Sequence, residues 1–346
     1  MGYVLTVVGP RKIGLTEYDE RPLAAGEVRL KTIHSGISAG TELTLFRGSN
    51  PYLAKSWDRD KRLFLPSNDT WGYPRPAIGY EEVGEVTEIG EGVEGVSVGD
   101  VVWGTWGHRS THVATADWVK PRLMPKGLDP LAGIFSQIGA IALNAIVDAD
   151  LHLGETVAIF GQGAPGLMIT QLAKASGVRV IAVDRLQQRL EMAKDNGADI
   201  VINGSELDAP LRIKELTGGL GADVSFEITG HTAALNDAIR ATAYNSRVVV
   251  SGFFQGEAKG LFLGEEFHHN RIELVCSQIS GVNPKLDHRW NRMRLDQTIM
   301  QLQAEGRVDF KKLITHRFEA RDLQQAYDML EASPQEALQV VLDFNS

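Results

Sequence analysis

Thr156-Val157-Ala158-Ile159-Phe160-Gly161-Gln162-Gly163-Ala164-Pro165-Gly166 decides how this chain is read. Five strand-forming residues run straight into a G-x-G-x-x-G turn, and a helical stretch through Ala173 to Gly177 opens behind it, the context in which that spacing holds a dinucleotide. Gly161 permits the tight turn, Gly163 lets the backbone approach a pyrophosphate, and Gly166 lets helix pack on strand. The helix N-terminus at Ala164 and Pro165 offers the phosphates its partial positive charge. Asp184 ends the next strand, 18 residues after Gly166, where a carboxylate accepts hydrogen bonds from ribose hydroxyls, so the expected cofactor is NAD(H). Asp184 repels a 2′-phosphate, but Arg185 beside it offers partial compensation and keeps NADP(H) as the alternative.

Working outward, the same rhythm continues through strands at Arg179–Val183, Ile200–Ile202, Val224–Ile228, Ser246–Val250 and Ile272–Val275, with helical spacing at Leu190–Lys194 and Ala233–Ile239. This alternation predicts a doubly wound parallel sheet, a Rossmann domain over residues 150–285. Residues 1–149 are instead short alternating runs such as Glu27–Thr32 and Val83–Ile89, split by glycine turns, and read as a β-rich unit. After 285, helices around Leu295–Gly306 and Leu323–Glu331 and a strand at Ala337–Leu342 are expected to return to the first domain, giving it residues 1–149 and 286–346.

A formal net charge of −9 disfavours a phosphate-tracking surface, so nucleic acid is not an expected partner and a small-molecule substrate is. No run reaches the ~18 apolar residues that cross a bilayer, and the N-terminus lacks a secretory core, so no membrane partner and a cytoplasmic location are expected. The single cysteine, Cys276, excludes an intrachain disulfide and any zinc site with two thiolates. In its apolar run it reads as a buried small hydrophobe.

Gly36-Ile37-Ser38-Ala39-Gly40-Thr41-Glu42-Leu43, Gly79-Tyr80-Glu81-Glu82-Val83-Gly84-Glu85-Val86, Val98-Gly99-Asp100-Val101-Val102, the glycine motif and Phe226-Glu227-Ile228-Thr229-Gly230 resemble, in order and spacing, the medium-chain dehydrogenase/reductases. The resemblance covers nearly the whole chain. It implies an α/β protein with a GroES-like β-rich catalytic domain plus a Rossmann domain, in a homodimer whose sheet continues through the Ser246–Val250 strand. In zinc-dependent members the first segment carries a cysteine ligand where this chain has Ser38, and the second a histidine where it has Tyr80. Glu81 matches the family's glutamate beside the metal. A third cysteine falls at Ser136, with Gln137 next to it. Hydroxyls and a phenol are poor zinc ligands, so no catalytic metal is expected, and one cysteine rules out the structural zinc lobe.

A metal-free enzyme must stabilise a developing alkoxide with hydrogen-bond donors or avoid the need. Tyr80 is the candidate proton donor, with Thr41 as relay and Ser38 and Glu81 beside it. Glu42 and Glu81 are expected to pair with an arginine. The resemblance assigns Ile228, Thr229, Ser251, Gly252 and Phe253 to the cofactor's walls. Trp57, Trp71, Trp103, Trp106, Tyr52 and Tyr73 read as core or as a pocket wall, partly within 48–75. His268 and His269 read as neighbours on a strand, and His34 and His108 suggest no role. The leading expectation is a zinc-independent oxidoreductase moving hydride between NAD(H) and a secondary alcohol or ketone of a polyol or sugar derivative. The alternatives are an NADPH-dependent enoyl or quinone reductase and a non-catalytic dinucleotide sensor. The segment at Ile37–Glu42 also resembles that of the bacteriochlorophyllide hydroxyethyl dehydrogenases, which act on a large tetrapyrrole alcohol.

Overall fold

The computed structural model describes residues 1–67 and 70–344. Two compact units emerge, residues 1–137 with 311–346, and residues 138–310. The first contains β1 (Gly2–Gly9), β2 (Lys12–Tyr18), β3 (Glu27–Ile37), α1 (Ala39–Arg47), β4 (Lys55–Asp58), β5 (Leu63–Pro66), β6 (Arg75–Pro76), β7 (Glu82–Ile89), β8 (Val101–Gly104), β9 (Thr111–Thr115) and α2 (Ala116–Val119). α3 (Phe135–Ala149) carries the chain into the second unit. There follow β10 (Thr156–Phe160), α4 (Ala164–Ala175), β11 (Arg179–Asp184), α5 (Gln187–Asp195), β12 (Ile200–Asn203), α6 (Ala209–Leu216), β13 (Ala222–Glu227), α7 (Thr232–Ala241), β14 (Thr242–Val250), β15 (Glu273–Cys276) and α8 (Arg292–Ala304). β16 (Ile314–Glu319), α9 (Leu323–Ala332) and β17 (Gln339–Asp343) return to the first unit.

In the second unit the sheet order is β12-β11-β10-β13-β14-β15, every pair parallel. That is the doubly wound order 3-2-1-4-5-6 in this unit's own strands, with the glycine turn at the central strand where the order reverses. Val157, Ala158 and Ile159 are fully buried, as a strand covered on both faces requires. The first unit is built on β16-β17-β3-β7-β8, with β9 also pairing β3, beside the smaller sheet β2-β1-β6. β17 runs antiparallel to β3, so the C-terminal strand completes the sheet that positions Ser35 to Ile37.

Several expectations are corrected. The units divide at 137/138 and 310/311, not at 149/150 and 285/286. α3 and α8 pack together: a Cβ on Gly139 would come within 2.7 Å of Ile299, so α8 stays with the second unit. The continuous helix Pro130–Ala149 does have the length and apolarity to cross a membrane, contrary to the reading of the sequence, but 78% of that window is buried inside the protein, as in a core helix. Cys276 is exposed, at the end of β15, because that strand is the sheet's edge. β14, expected to continue the sheet into a partner, is flanked on both sides. His268 and His269 lie on a helical turn following the π-turn at Leu263–Phe267, both exposed, and not on a strand.

Candidate active site

Gly161 takes φ +103° at the end of β10, and its N–H donates to the Val183 carbonyl at 2.8 Å. A Cβ on Gly166 would sit 1.9 Å from the Gly161 carbonyl oxygen, so the first turn of α4 closes on the loop only because Gly166 has no side chain. Gly163 caps α4 in an extended conformation, with Ala164 and Pro165 in its first turn. Gln162 is fully buried; its amide donates to the Ile159 carbonyl and accepts from Thr170 Oγ1, which stiffens the loop from below. The Asp184 carboxylate accepts from the backbone N–H of Gln162 at 2.7 Å and, on its other oxygen, from those of Arg185 (2.7 Å) and Leu186 (3.0 Å). It is thereby fixed between the glycine loop and the next turn. An ionised carboxylate has about four acceptor positions, so capacity remains for ribose hydroxyls. The Arg185 side chain is exposed.

Glu227, which the reading of the sequence did not single out, locks the turns after β13 and β14. Its carboxylate accepts from the N–H and hydroxyl of Thr229 and from the N–H of Gly230. Its carbonyl accepts from the N–H groups of Ser251 (2.8 Å) and Gly252 (3.0 Å). Gly252 allows a close backbone approach as expected, but the neighbour is Gly230: a Cβ would stand 2.3 Å from its nitrogen. Burial raises the Glu227 pKa against the hydrogen bonds from Thr229 and Gly230. Ile228 and Thr229 back onto Gly161, where a Cβ would meet both. Ser251 Oγ is buried without a hydrogen-bond partner, and Phe253 is 46% exposed. The local signal for Glu227 was an acid at the buried end of a strand, in place of an apolar residue.

In the first unit, Ser38 is the single residue between β3 and α1, at the N-cap of the helix, and Tyr80 stands just before β7. The Ser38 hydroxyl and the Tyr80 phenol are hydrogen-bonded to each other, and the Thr41 side chain, in the first turn of α1, is close enough to lower the phenol's pKa. Burial first, then the nearby Glu81, raises the Tyr80 pKa, outweighing the lowering by Ser38 and Thr41. The phenol is therefore protonated at neutral pH. Thr41 itself is exposed and Tyr80 is half-buried.

Behind this pair lies a buried polar cluster. Glu42 accepts from the Ser38 N–H at 2.8 Å on one oxygen, and from His108 Nε2 at 2.7 Å and the Tyr327 hydroxyl on the other. Among the described residues neither Glu42 nor Glu81 pairs with an arginine, contrary to expectation, because no arginine reaches the interior position each occupies; His108 and Tyr327 serve Glu42, and Gln339 Nε2 donates to Glu81 Oε2 at 2.8 Å. Ser35 Oγ lies 2.6 Å from His108 Nδ1 and donates to Glu82. A Ser35 proton directed to Glu82 lets both ring nitrogens donate, the arrangement of a charged imidazole. Burial pushes the His108 pKa down, but the charge and hydrogen bond of Glu42, with Glu82 behind it, hold it above the ordinary value. His108 is thus central, although its sequence context gave no role. His34 pairs with Asp343 at 2.7 Å.

The donor set does not fit a zinc ion. Ser38 and Ser136 offer neutral hydroxyls, Tyr80 a phenol that resists deprotonation, and Glu81 a carboxyl whose pKa burial, Glu42 and Glu82 raise well above the ordinary range. Gln137 is buried beside Ser136. Among the described residues no group of three or more His, Cys, Asp or Glu side chains is arranged to hold a metal. Glu81 Oε1 and Ser136 Oγ are buried with no hydrogen-bond partner among the described residues.

A family of zinc-binding dehydrogenases matches residues 165–293. D-guloside 3-dehydrogenase of Escherichia coli K12 is 31% identical over 325 residues, covering 90% of this chain and 90% of its own. A structure described as a short-chain alcohol dehydrogenase from Escherichia coli CFT073, complexed with NADH, has a TM-score of 0.78 at 22% identity over 99% of each chain. A candidate zinc-binding dehydrogenase from Sinorhizobium meliloti 1021, bound to NADP, also gives 0.78, at 19% identity and 99% of each chain. The glycine cradle on a doubly wound sheet and these relationships define an oxidoreductase of the alcohol dehydrogenase type. The chain belongs to the medium-chain dehydrogenase/reductase superfamily.

Proposed function

We infer that this protein moves a hydride between NAD(H) and a secondary alcohol or ketone of a polyol or sugar derivative, without a catalytic zinc. The observation that carries this reading is the Tyr80 phenol, kept protonated and bonded to Ser38, with Thr41 close by, at the positions where zinc-dependent relatives are expected to hold metal. A bound nicotinamide supplies or accepts the hydride. Gly161, Gly163 and the N-terminus of α4 would hold its pyrophosphate, and Asp184 its ribose. In the reduction direction Tyr80 donates a proton to the carbonyl oxygen as it becomes an alkoxide. Ser38 orients the phenol, and Thr41 passes a replacement proton from solvent. Burial, then Glu42 and Glu82, raise the Glu81 pKa well above the ordinary range, which favours its neutral form beside a developing alkoxide. The 31% relationship to a glycoside dehydrogenase supports a sugar-derived secondary alcohol.

Metal analysis of the purified protein, titration with NADH and NADPH, and an oxidation screen of polyols and glycosides test the reading. Substoichiometric zinc, tighter NADH binding and turnover of a secondary alcohol are expected. One bound zinc per chain, or turnover confined to enones with NADPH, would reject it.

A further inference from the structure

Ser38 stands at the N-cap of α1, where a serine hydroxyl ordinarily accepts from the second or third amide of the helix. Here the Ser38 hydroxyl makes no capping bond, and the Thr41 N–H donates at 3.1 Å to the Ser38 carbonyl instead. The hydroxyl is bonded to Tyr80. The first turn is closed from the other side. The Glu42 N–H donates to the Ser38 carbonyl at 2.9 Å, and the Glu42 carboxylate reaches back to the Ser38 N–H at 2.8 Å. In a capping box a glutamate three residues past the cap makes that second bond and the serine hydroxyl returns one. Glu42 sits four past, and the returning bond is missing.

A carboxylate that closes such a turn must itself be held, and two groups hold Glu42 Oε2. His108 Nε2 lies 2.7 Å from it, and the Tyr327 hydroxyl donates to it from α9. His108 Nε2 and the Tyr327 hydroxyl are 3.4 Å apart, so the three groups form one closed cluster. Burial, then the charge of Glu42, raise the Tyr327 pKa well above its ordinary value, which keeps its proton available to Glu42. The Tyr327 ring is fully buried and packs on Phe46, also fully buried, with centroids 5.4 Å apart. Tyr327 therefore grips α1 at two points, its hydroxyl on Glu42 in the helix's first half and its ring on Phe46 near the end.

We propose that Tyr327 is a positioning residue for the proton donor: its hydroxyl holds Glu42 so that α1 starts without the Ser38 hydroxyl, which stays on Tyr80. Helix α9 thereby acts on Tyr80 through Glu42 and Ser38. This rests on the reading of Tyr80 as the proton donor. Without the Tyr327 hydroxyl, Glu42 Oε2 keeps His108 alone, its hold on the Ser38 N–H loosens, and the Ser38 hydroxyl turns to the ordinary capping bond. The phenol then loses the partner that orients it, and productive geometry is reached less often while ground-state binding is unaffected.

Tyr327→Phe keeps the ring on Phe46 and removes the hydroxyl alone. In steady-state oxidation with NAD of the polyol or glycoside that the screen selects, kcat is expected to fall about tenfold, with KM and NADH affinity changed by less than about twofold. In a Ser38→Ala background the same substitution should lower kcat no further, because the two residues act in one chain. Hydrogen–deuterium exchange of the substrate-free protein should quicken at Ser38 without a matching change in α9. A Tyr327→Phe enzyme with unaltered kcat, a loss confined to KM, or a loss that adds in full to that of Ser38→Ala overturns the proposal. So does unchanged exchange at Ser38. A wild type that oxidises no secondary alcohol rejects the reading of the reaction instead, and exchange at Ser38 then decides by itself whether Tyr327 holds the turn.

Discussion

Glu42 Oε2 lies 2.7 Å from His108 Nε2, and both side chains are buried, at positions 66 apart in the chain. Glu42 also holds the Ser38 N–H, so the pair fixes the first turn of α1, from which Ser38 and Thr41 reach Tyr80. Removing one partner of a buried pair leaves an uncompensated charge and costs about 3–5 kcal/mol. His108→Gln is therefore expected to lower unfolding free energy by that order in urea titration at pH 6. A folded-state pKa above the ordinary 6.5 means that the His108 contribution is complete below pH 6.5 and is lost as pH rises through the raised value. The deficit of the variant relative to wild type should shrink on going to alkaline pH; a constant deficit would show that the ring acts by packing alone.

Glu81 makes the opposite case. Its carboxyl is buried, receives one hydrogen bond from Gln339, and has one oxygen without a partner. A carboxyl whose folded pKa lies above its ordinary 4.5 binds more protons folded than unfolded, so ionisation costs stability as pH rises from 4.5 through the raised value. Glu81→Gln keeps the acceptor for Gln339 and abolishes that cost. Thermal unfolding should show the variant more stable than wild type at pH 8, with the gap closing toward pH 4.5. A variant less stable at every pH would mean that the carboxylate is stabilised by something other than Gln339.

These two carboxyls also mark the limit of what the sequence could tell. The glycine turn, Asp184 and strands such as Thr156–Phe160 were legible because each is a local pattern, a period of two or a fixed spacing of glycines. Ser38, Thr41 and Tyr80 were legible through the resemblance, and the fold joins Ser38 and Tyr80 by a hydrogen bond, with Thr41 close by. Glu42, His108, Glu82 and Tyr327 were not, because their meeting depends on the pairing of β3 with β7 and on a helix 285 residues away. Nothing near Glu42 distinguishes an arginine partner from a histidine one. Cys276 was misread for a related reason: an apolar run is buried in a central strand and half-exposed in an edge strand, and strand order is not a local property.

The cofactor cradle gives a paired prediction. Gly166→Ala places a methyl 1.9 Å from the Gly161 carbonyl oxygen, a backbone atom that cannot swing aside. Such overpacking costs about 1–3 kcal/mol and should open the loop, weakening NADH binding in fluorescence titration. Asp184→Ser removes the charge that repels a 2′-phosphate while leaving exposed Arg185 in place, so the ratio of NADPH to NADH affinity should rise by tenfold or more, about 1.4 kcal/mol. An unchanged ratio in the Asp184 variant would place cofactor selection elsewhere in the second unit.

Tyr80 carries the proposed chemistry, and its environment predicts an asymmetry between directions. Burial and Glu81 raise the phenol's pKa, so the proton donor needed for carbonyl reduction is fully populated across the neutral range, while the phenolate needed to accept a proton in alcohol oxidation is scarce. The reductive rate should stay flat through pH 9, and the oxidative rate should climb about tenfold per pH unit over the same range if proton removal by Tyr80 limits it. Tyr80→Phe keeps the ring and loses the proton, and should lower kcat in both directions by ~10²-fold or more with little change in NADH affinity. Thr41→Val, which cuts the route from the phenol to solvent, should lower kcat less and leave the shape of the pH profile intact. A Tyr80→Phe enzyme that retains its turnover would remove the phenol from the mechanism, and with it the main support for a metal-free reaction at Ser38.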